Sequence, residues 1–185
     1  YAGERAWNFD NAPGNDVVRL KTISIKNEKG RVQTTFDLTE PIIVEIDYFV
    51  LRKGYQLMVT LQVLNQRGDW LLHVPDDYIR GAWGKQSPKS VGLHKTIFKL
   101  PSNFFQDETI FLDVSIFSPP LPSEDNNTHF DEKKVISFTL TDTFNQAGAR
   151  GNFPFNWGNP AVRPLIYSES KLLATETNLK KDCTS

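Results

Sequence analysis

The sequence predicts an all-β fold, a two-layer antiparallel sandwich of immunoglobulin-like or jelly-roll type. Three observations predict it. Apolar residues recur every second position rather than every third or fourth, the repeating runs are rich in Val, Ile, Thr and Phe, and no segment carries a sustained helical stripe. With 185 residues, 39% hydrophobic and 12% aromatic, the chain can bury one good core, so a single domain is expected.

The runs follow in order. Val18, Leu20, Ile23 and Ile25 define a strand over Val17 to Lys26, and the slip between Leu20 and Ile23 predicts a bulge. Asn27-Glu28-Lys29-Gly30 turns the chain into a second strand, Val32 to Leu38, which stops near Pro41. In the third, Ile42 to Leu51, the set Ile42, Val44, Ile46, Tyr48 and Val50 faces the core.

The strand Tyr55 to Asn65 turns Leu57, Val59, Leu61 and Val63 inward and Gln56, Met58, Thr60 and Gln62 outward. Gln66-Arg67-Gly68-Asp69 then forms a hairpin turn into Trp70 to Val74. A loop from Pro75 to Ser90 is longer than a connector needs. Strands resume at Gly92 to Leu100 and Thr109 to Ser118, with one helical turn expected over Pro101 to Phe105. A Pro-rich and then polar loop, Pro119 to His129, precedes the last strand, Lys134 to Thr141. About eight strands with loop-rich connections suit a sandwich better than a closed barrel.

The expected organisation is therefore an N-terminal lead-in over 1–16, the sandwich over 17–144, a Gly/Pro-rich arm over 145–170 and a polar, mobile tail over 171–185. The chain opens on Tyr1 without an initiator Met or a signal peptide, which we read as a piece cut from a longer protein. No apolar run reaches the ~20 residues that cross a bilayer.

Composition excludes several functions. A formal net charge of -1 supplies no basic surplus for phosphates, so nucleic acid is not an expected partner. The lone Cys183 can form no internal disulfide, which fits a reducing compartment and leaves open a periplasmic or extracellular domain without disulfides. His73, His94 and His129 have no ligand spacing, so no metal is expected. Gly81-Ala82-Trp83-Gly84-Lys85-Gln86-Ser87 lacks the spacing of a phosphate loop, and no cofactor motif occurs. No nucleophile elbow is present, and Asp76 and Asp77, adjacent on a loop, do not make a glycosidase pair. Asn126-Asn127-Thr128 is a formal glycosylation acceptor without a secretory context. The domain is expected to have no catalytic residues.

A surface remains. Strand alternation puts Met58, Thr60 and Gln62 on one outer face with Phe111, Asp113, Ser115 and Phe117. Planar amides and carboxylates make paired hydrogen bonds to sugar hydroxyls, and aromatic rings take sugar C–H faces, so this mixture suits a carbohydrate. The plain alternative is an ordinary solvated sheet face. Trp70, Tyr78 and Trp83 sit where they would close one end of a groove, or Trp70 packs in the core beside the hairpin.

Arg5-Ala6-Trp7 and Asn11-Ala12-Pro13-Gly14-Asn15-Asp16-Val17-Val18-Arg19-Leu20 resemble the opening of a known family. It is the C-terminal carbohydrate-binding domain of the ATP-binding subunit of polysaccharide-exporting, O-antigen-type ABC transporters, the Wzt type. The likeness continues through Phe36-Asp37, Glu40-Pro41, Tyr48 and Gly92 to Pro101, and returns at Val162-Arg163-Pro164-Leu165. Two features depart from the family: Ile166-Tyr167 stands where a Trp is frequent, and the loop Pro119 to His129 is longer.

The resemblance implies a sandwich that binds exported polysaccharide at a modified non-reducing end, together with an upstream nucleotide-binding domain and a membrane subunit. It also implies a homodimer, with the arm as an exchanging strand, located in the cytoplasm against the inner membrane. Two alternatives stay open: an adhesion or protein-binding sandwich, and an accessory domain of a glycan-modifying enzyme.

Overall fold

The computed structural model describes residues 3–76, 87–118 and 128–142. The strands are β1 (Glu4–Ala6), β2 (Val18–Lys26), β3 (Thr35–Asp37), β4 (Ile42–Val50), β5 (Met58–Leu64), β6 (Trp70–Pro75), β7 (Gly92–Leu100), β8 (Thr109–Phe117) and β9 (Thr128–Thr141). They form one sheet in the order β1-β2-β4-β7 and another in the order β3-β9-β8-β5-β6. The result is the β-sandwich that the sequence predicts.

The strand order is immunoglobulin-like rather than jelly-roll. β5, β8 and β9 occupy the C, F and G places, β4 and β7 those of B and E, and β6 is added beside β5. All pairs run antiparallel except β3 with β9, which run parallel. The strand expected over Val32 to Leu38 is in fact short, because the chain leaves β2 for the opposite sheet and keeps only a single bridge, Lys26 to Val32, on the way.

The core forms where alternation places it. Along β4, Ile42, Val44, Ile46, Tyr48 and Val50 are buried while the residues between them are half-exposed. They meet Val59, Leu61 and Val63 of β5 and Ile110, Leu112, Val114 and Ile116 of β8 in one cluster. Each such aliphatic side chain contributes about 1.5–3 kcal/mol when fully buried. The expected bulge in β2 is present, as the register slips between Leu20 and Thr22 against β4.

Four features differ from the expectation. Residues 4–6, assigned to a lead-in, form β1 and pair with β2, so the sandwich starts earlier than residue 17. A 3-10 turn follows at Phe9–Asn11. Pro101 to Phe105 is a turn and not helical, with Asn103 at φ 55° donating its N–H to the Leu38 carbonyl at 2.6 Å. The last strand begins at Thr128 rather than Lys134, because its first half is a charged run that nonetheless pairs with β8. The arm over 145–170, the tail over 171–185 and the motif at Val162 to Leu165 lie outside the described residues.

The Ala12-Pro13-Gly14-Asn15 motif has a structural role. The Leu20 N–H donates to the Pro13 carbonyl at 2.8 Å and the Asn15 N–H to the Val18 carbonyl at 2.9 Å, folding the segment back on β2. Gly14 sits at φ +141°, where a Cβ would lie 2.1 Å from the Val18 oxygen, so no other residue fits.

Candidate functional site

The face of the β5–β8 sheet turned away from the core is built in rows. Opposite residues on neighbouring strands share a face, so the register fixes who meets whom. Trp70, Leu64, Phe111 and Ser137 make the first row, and His73, Gln62 and Asp113 the second. Pro75, Thr60, Ser115 and Asp131 make the third, and Met58, Phe117 and Thr128 the fourth. The seven residues expected on this face from β5 and β8 are thus brought together, pair by pair.

Their exposure is a correction. Met58, Thr60, Gln62, Asp113, Ser115 and Phe117 are buried, not an open solvated face; Thr60 is 0% exposed. Alternation dictates the side a residue takes and is silent on what covers that side. The open part of the face is carried by Trp70, His73, Thr128, Asp131, Lys133 and Lys134, with Phe111 half-buried. Trp70 is 62% exposed, with its ring 5.7 Å from that of His73, so it is not a core residue. Tyr78 and Trp83 lie outside the described residues.

A bulge in β9 organises the second row. Between the pairs Leu112–Ile136 and Val114–Glu132 the register slips, and Lys134 takes φ 46°. Asp113 holds this kink: its Oδ1 accepts the Lys134 backbone N–H at 2.6 Å. The neighbouring Lys133 ammonium donates to Gln62 Oε1 at 3.2 Å, pairs with Asp131 at 2.9 Å and lies 3.5 Å from Asp113 Oδ2. Burial works against the Lys133 charge, but the Asp131 and Asp113 carboxylates outweigh it and raise its pKa. The Lys134 ammonium lies over the Phe111 ring, 5.2 Å from its centre.

His73, Lys133 and Lys134 were not expected on this face. The pairing of His73 with Gln62 follows from the hairpin register, a signal available in the turn at Gln66 to Asp69. Lys133 had no such signal, since the bulge that delivers it lies in a run of four consecutive charged residues, Asp131 to Lys134.

Elsewhere, a Ser-His-Asn constellation invites a catalytic reading that its hydrogen bonds refuse. His129 Nε2 lies 2.9 Å from Ser118 Oγ, and Nδ1 lies 3.1 Å from Asn15 Nδ2. Asn15 Oδ1 accepts the Val17 and Val18 N–H groups at 2.9 and 3.3 Å, which fixes the amide with its NH2 toward the imidazole. Nδ1 is then the acceptor and Nε2–H donates to the serine, an assignment made from the network. A base for serine needs the opposite tautomer. Asp76, for its part, is structural: its Oδ1 accepts the Val59 N–H at 3.0 Å and Lys89 lies 3.6 Å from its carboxylate. Asp77 lies outside the described residues.

A groove of about 710 Å³ runs between β6 and β7, lined by Leu72, Val74, Ile97, Phe98 and Phe104 among others. Its charged groups are already matched, Lys89 with Asp76, Lys95 with Glu45 and Asp47, and Lys99 with Glu28. The rowed face, with polar groups left to satisfy, is therefore the better ligand site.

No family model and no curated protein matches the sequence. Among solved structures, the crystal structure of the C-terminal domain of Wzt superposes with a TM-score of 0.66, covering 93% of this chain and 93% of that one at 13% identity. The chain has the fold of the Wzt C-terminal domain. A second solved chain, the structural-genomics target SoR45, covers 70% of this chain and 89% of its own at 11% identity, with a TM-score of 0.26. The Wzt likeness runs over almost the whole of both chains, so it includes the sheet that carries the rowed face.

Proposed function

We propose that this chain is a non-catalytic carbohydrate-binding domain of a polysaccharide exporter, attached to an ATP-binding transporter subunit and recognising the modified non-reducing end of the exported chain. The reading rests on one arrangement: Trp70 and Phe111 share a row on either side of β5, next to the row His73–Gln62–Asp113. Two strand spacings put these rings about 10 Å apart, the length of roughly two sugar units. Flat apolar rings beside fixed amide and carboxylate groups suit a sugar's alternating C–H and O–H surfaces. The Wzt-like fold supports the assignment at the level of architecture.

In this reading the domain works in the cytoplasm at the inner membrane, as a homodimer, with the nucleotide-binding domain and membrane subunit as partners. It binds finished chains better than unfinished ones, and that difference in affinity couples export to completion. Titration of the domain with polysaccharide purified from its own cell tests this. Saturable binding that weakens at least tenfold in Trp70→Ala and in Phe111→Ala is expected, and no saturation at millimolar sugar would remove the reading.

A protein-binding sandwich is the second reading, favoured by one observation. Val91, Leu93 and Ile97, more than half exposed, lie on or beside β7, which is an edge strand among the described residues. Free edges with apolar side chains pair readily with another chain. A partner that binds with Leu93→Lys sensitivity and ignores Trp70→Ala would favour it.

A further inference from the structure

We infer that the third row of this face is a subsite for the neighbouring hydroxyls of an uncharged sugar, built from Thr60, Ser115 and Gln62 and closed to anionic groups. This rests on the carbohydrate reading above and specifies its ligand. Thr60 is the starting observation. Its side chain is fully buried, and its Oγ1 has no hydrogen-bond partner. Buried hydroxyls are seldom left so, because water that would satisfy them has been removed. All seven residues of β5 are buried, and at this position Val would fill nearly the same space without an orphaned oxygen.

Unmet hydrogen-bonding groups extend to the neighbours of Thr60. Ser115 stands directly opposite Thr60 in the register, and its Oγ takes no hydrogen bond among the described residues. Gln62, two residues along, gives its Oε1 to Lys133 and keeps its Nε2 donor free among the described residues. Opposite Gln62, Asp113 commits Oδ1 to the Lys134 N–H while Oδ2, 3.5 Å from the Lys133 ammonium, keeps acceptor capacity. Opposite side chains start about 4.5–5.5 Å apart. That spacing lets two hydroxyls and an amide engage oxygens on adjacent carbons of one ring. Gln62 and Ser115 remain 6% and 7% exposed and Thr60 is closed off, so a ligand meets Gln62 and Ser115 first and engages Thr60 only when the side chains around it move aside.

Charge sets the selectivity. Asp113 and Asp131 flank the subsite, and Lys133 is already engaged by both. A carboxylate or phosphate placed against Thr60 would meet two like charges, while the cation beside them, Lys133, is engaged by both and Lys134 lies over the Phe111 ring in the first row. A neutral hydroxyl meets donors and acceptors that can rearrange around it.

The test measures binding by NMR and calorimetry with neutral hexose oligosaccharides and with galacturonate oligosaccharides of the same length. Neutral oligomers are expected to bind at least tenfold more tightly than uronates and to shift the Gln62 side-chain amide resonances. Thr60→Val and Ser115→Ala should each weaken the neutral oligomers about three- to tenfold. Thr60→Val should melt no lower than the parent, which separates lost contact from lost fold. If neutral oligomers bind with Trp70 dependence yet Thr60→Val and Ser115→Ala bind as the parent does, or if uronates bind as well, the subsite is overturned and the carbohydrate reading stands. If no oligosaccharide and no cellular polysaccharide binds, both fall.

Discussion

Asp113 can be tested as the fastener of the β9 bulge. Replacing it with Ala removes the acceptor of the Lys134 N–H, a bond of 2.6 Å to a carboxylate that is 2% exposed as a residue. A hydrogen bond to a charged group contributes about 1.5–3 kcal/mol. The Lys133 pairing adds little, below about 0.5 kcal/mol, because that side chain is 52% exposed and keeps Asp131. Asp113→Ala should therefore cost about 2–3 kcal/mol, which for a chain of this length lowers the melting temperature by roughly 5–10 °C. Asp113→Asn retains an acceptor oxygen and should cost only about 1 kcal/mol. Urea unfolding of the three proteins decides. An Asn variant as unstable as the Ala variant would show that charge, not the bond to Lys134, holds the bulge, and an Ala variant within about 0.5 kcal/mol of the parent would remove the bulge argument altogether.

Three further outcomes are expected. Gly14→Ala should lose more than about 3 kcal/mol or fail to fold, since its Cβ would collide with the Val18 carbonyl at an unfavourable φ, and a variant of parental stability on denaturant unfolding contradicts the turn described. His129 is held neutral: burial pushes its pKa below the ordinary 6.5, with Asp16 pulling weakly the other way, while Tyr55 meets its ring edge-on and Arg52 pairs with Asp16. The unfolded chain then takes up the proton first, so stability is full above pH 6.5 and falls as pH drops from there toward the lower folded pKa; His129→Gln should flatten that slope in urea midpoints measured from pH 5 to 8, and an unchanged slope would refute the assignment. Glu45→Gln, which loosens a carboxylate lowered in pKa by hydrogen bonds from Lys26 and Lys95, should cost no more than about 1 kcal/mol in the same assay, because the groups are partly solvated; a loss above about 2 kcal/mol would mean that the pair is structural.

Alternation made most of the core legible. In β4 it names each buried residue, and in β5 and β8 it separates Val59, Leu61 and Val63 from Met58, Thr60 and Gln62. It failed where side-chain character and backbone pairing part company. Glu4, Arg5 and Ala6 are all exposed, so β1 is a strand by virtue of its partner and not its pattern. Asp131 to Lys134 carry four charges in succession, which hides both the strand and the bulge that sets Lys133 beside Gln62. His129 looked isolated because Asn15, which fixes its tautomer, is 114 residues away in the chain. The burial of Thr60 is a matter of what lies above a sheet, which no two-residue period records.

The parallel pairing of β3 with β9 also bears on how the chain acquires its structure. The sheet β1-β2-β4-β7 needs nothing beyond Leu100, so it can assemble while the rest of the chain is still being made. The other sheet has to wait, because the Thr141 hydroxyl donates to the Phe36 carbonyl across 105 residues. Until then Phe36 lacks the Phe138 ring that stands 5.8 Å from it in the finished core, and the apolar side of the first sheet lies open. Long-range closure of this kind is slow, and the interval before it is when such chains are most prone to aggregate. Formation of the rows on the outer face of β5 and β8 is thus among the last events of folding, tied to the arrival of β9.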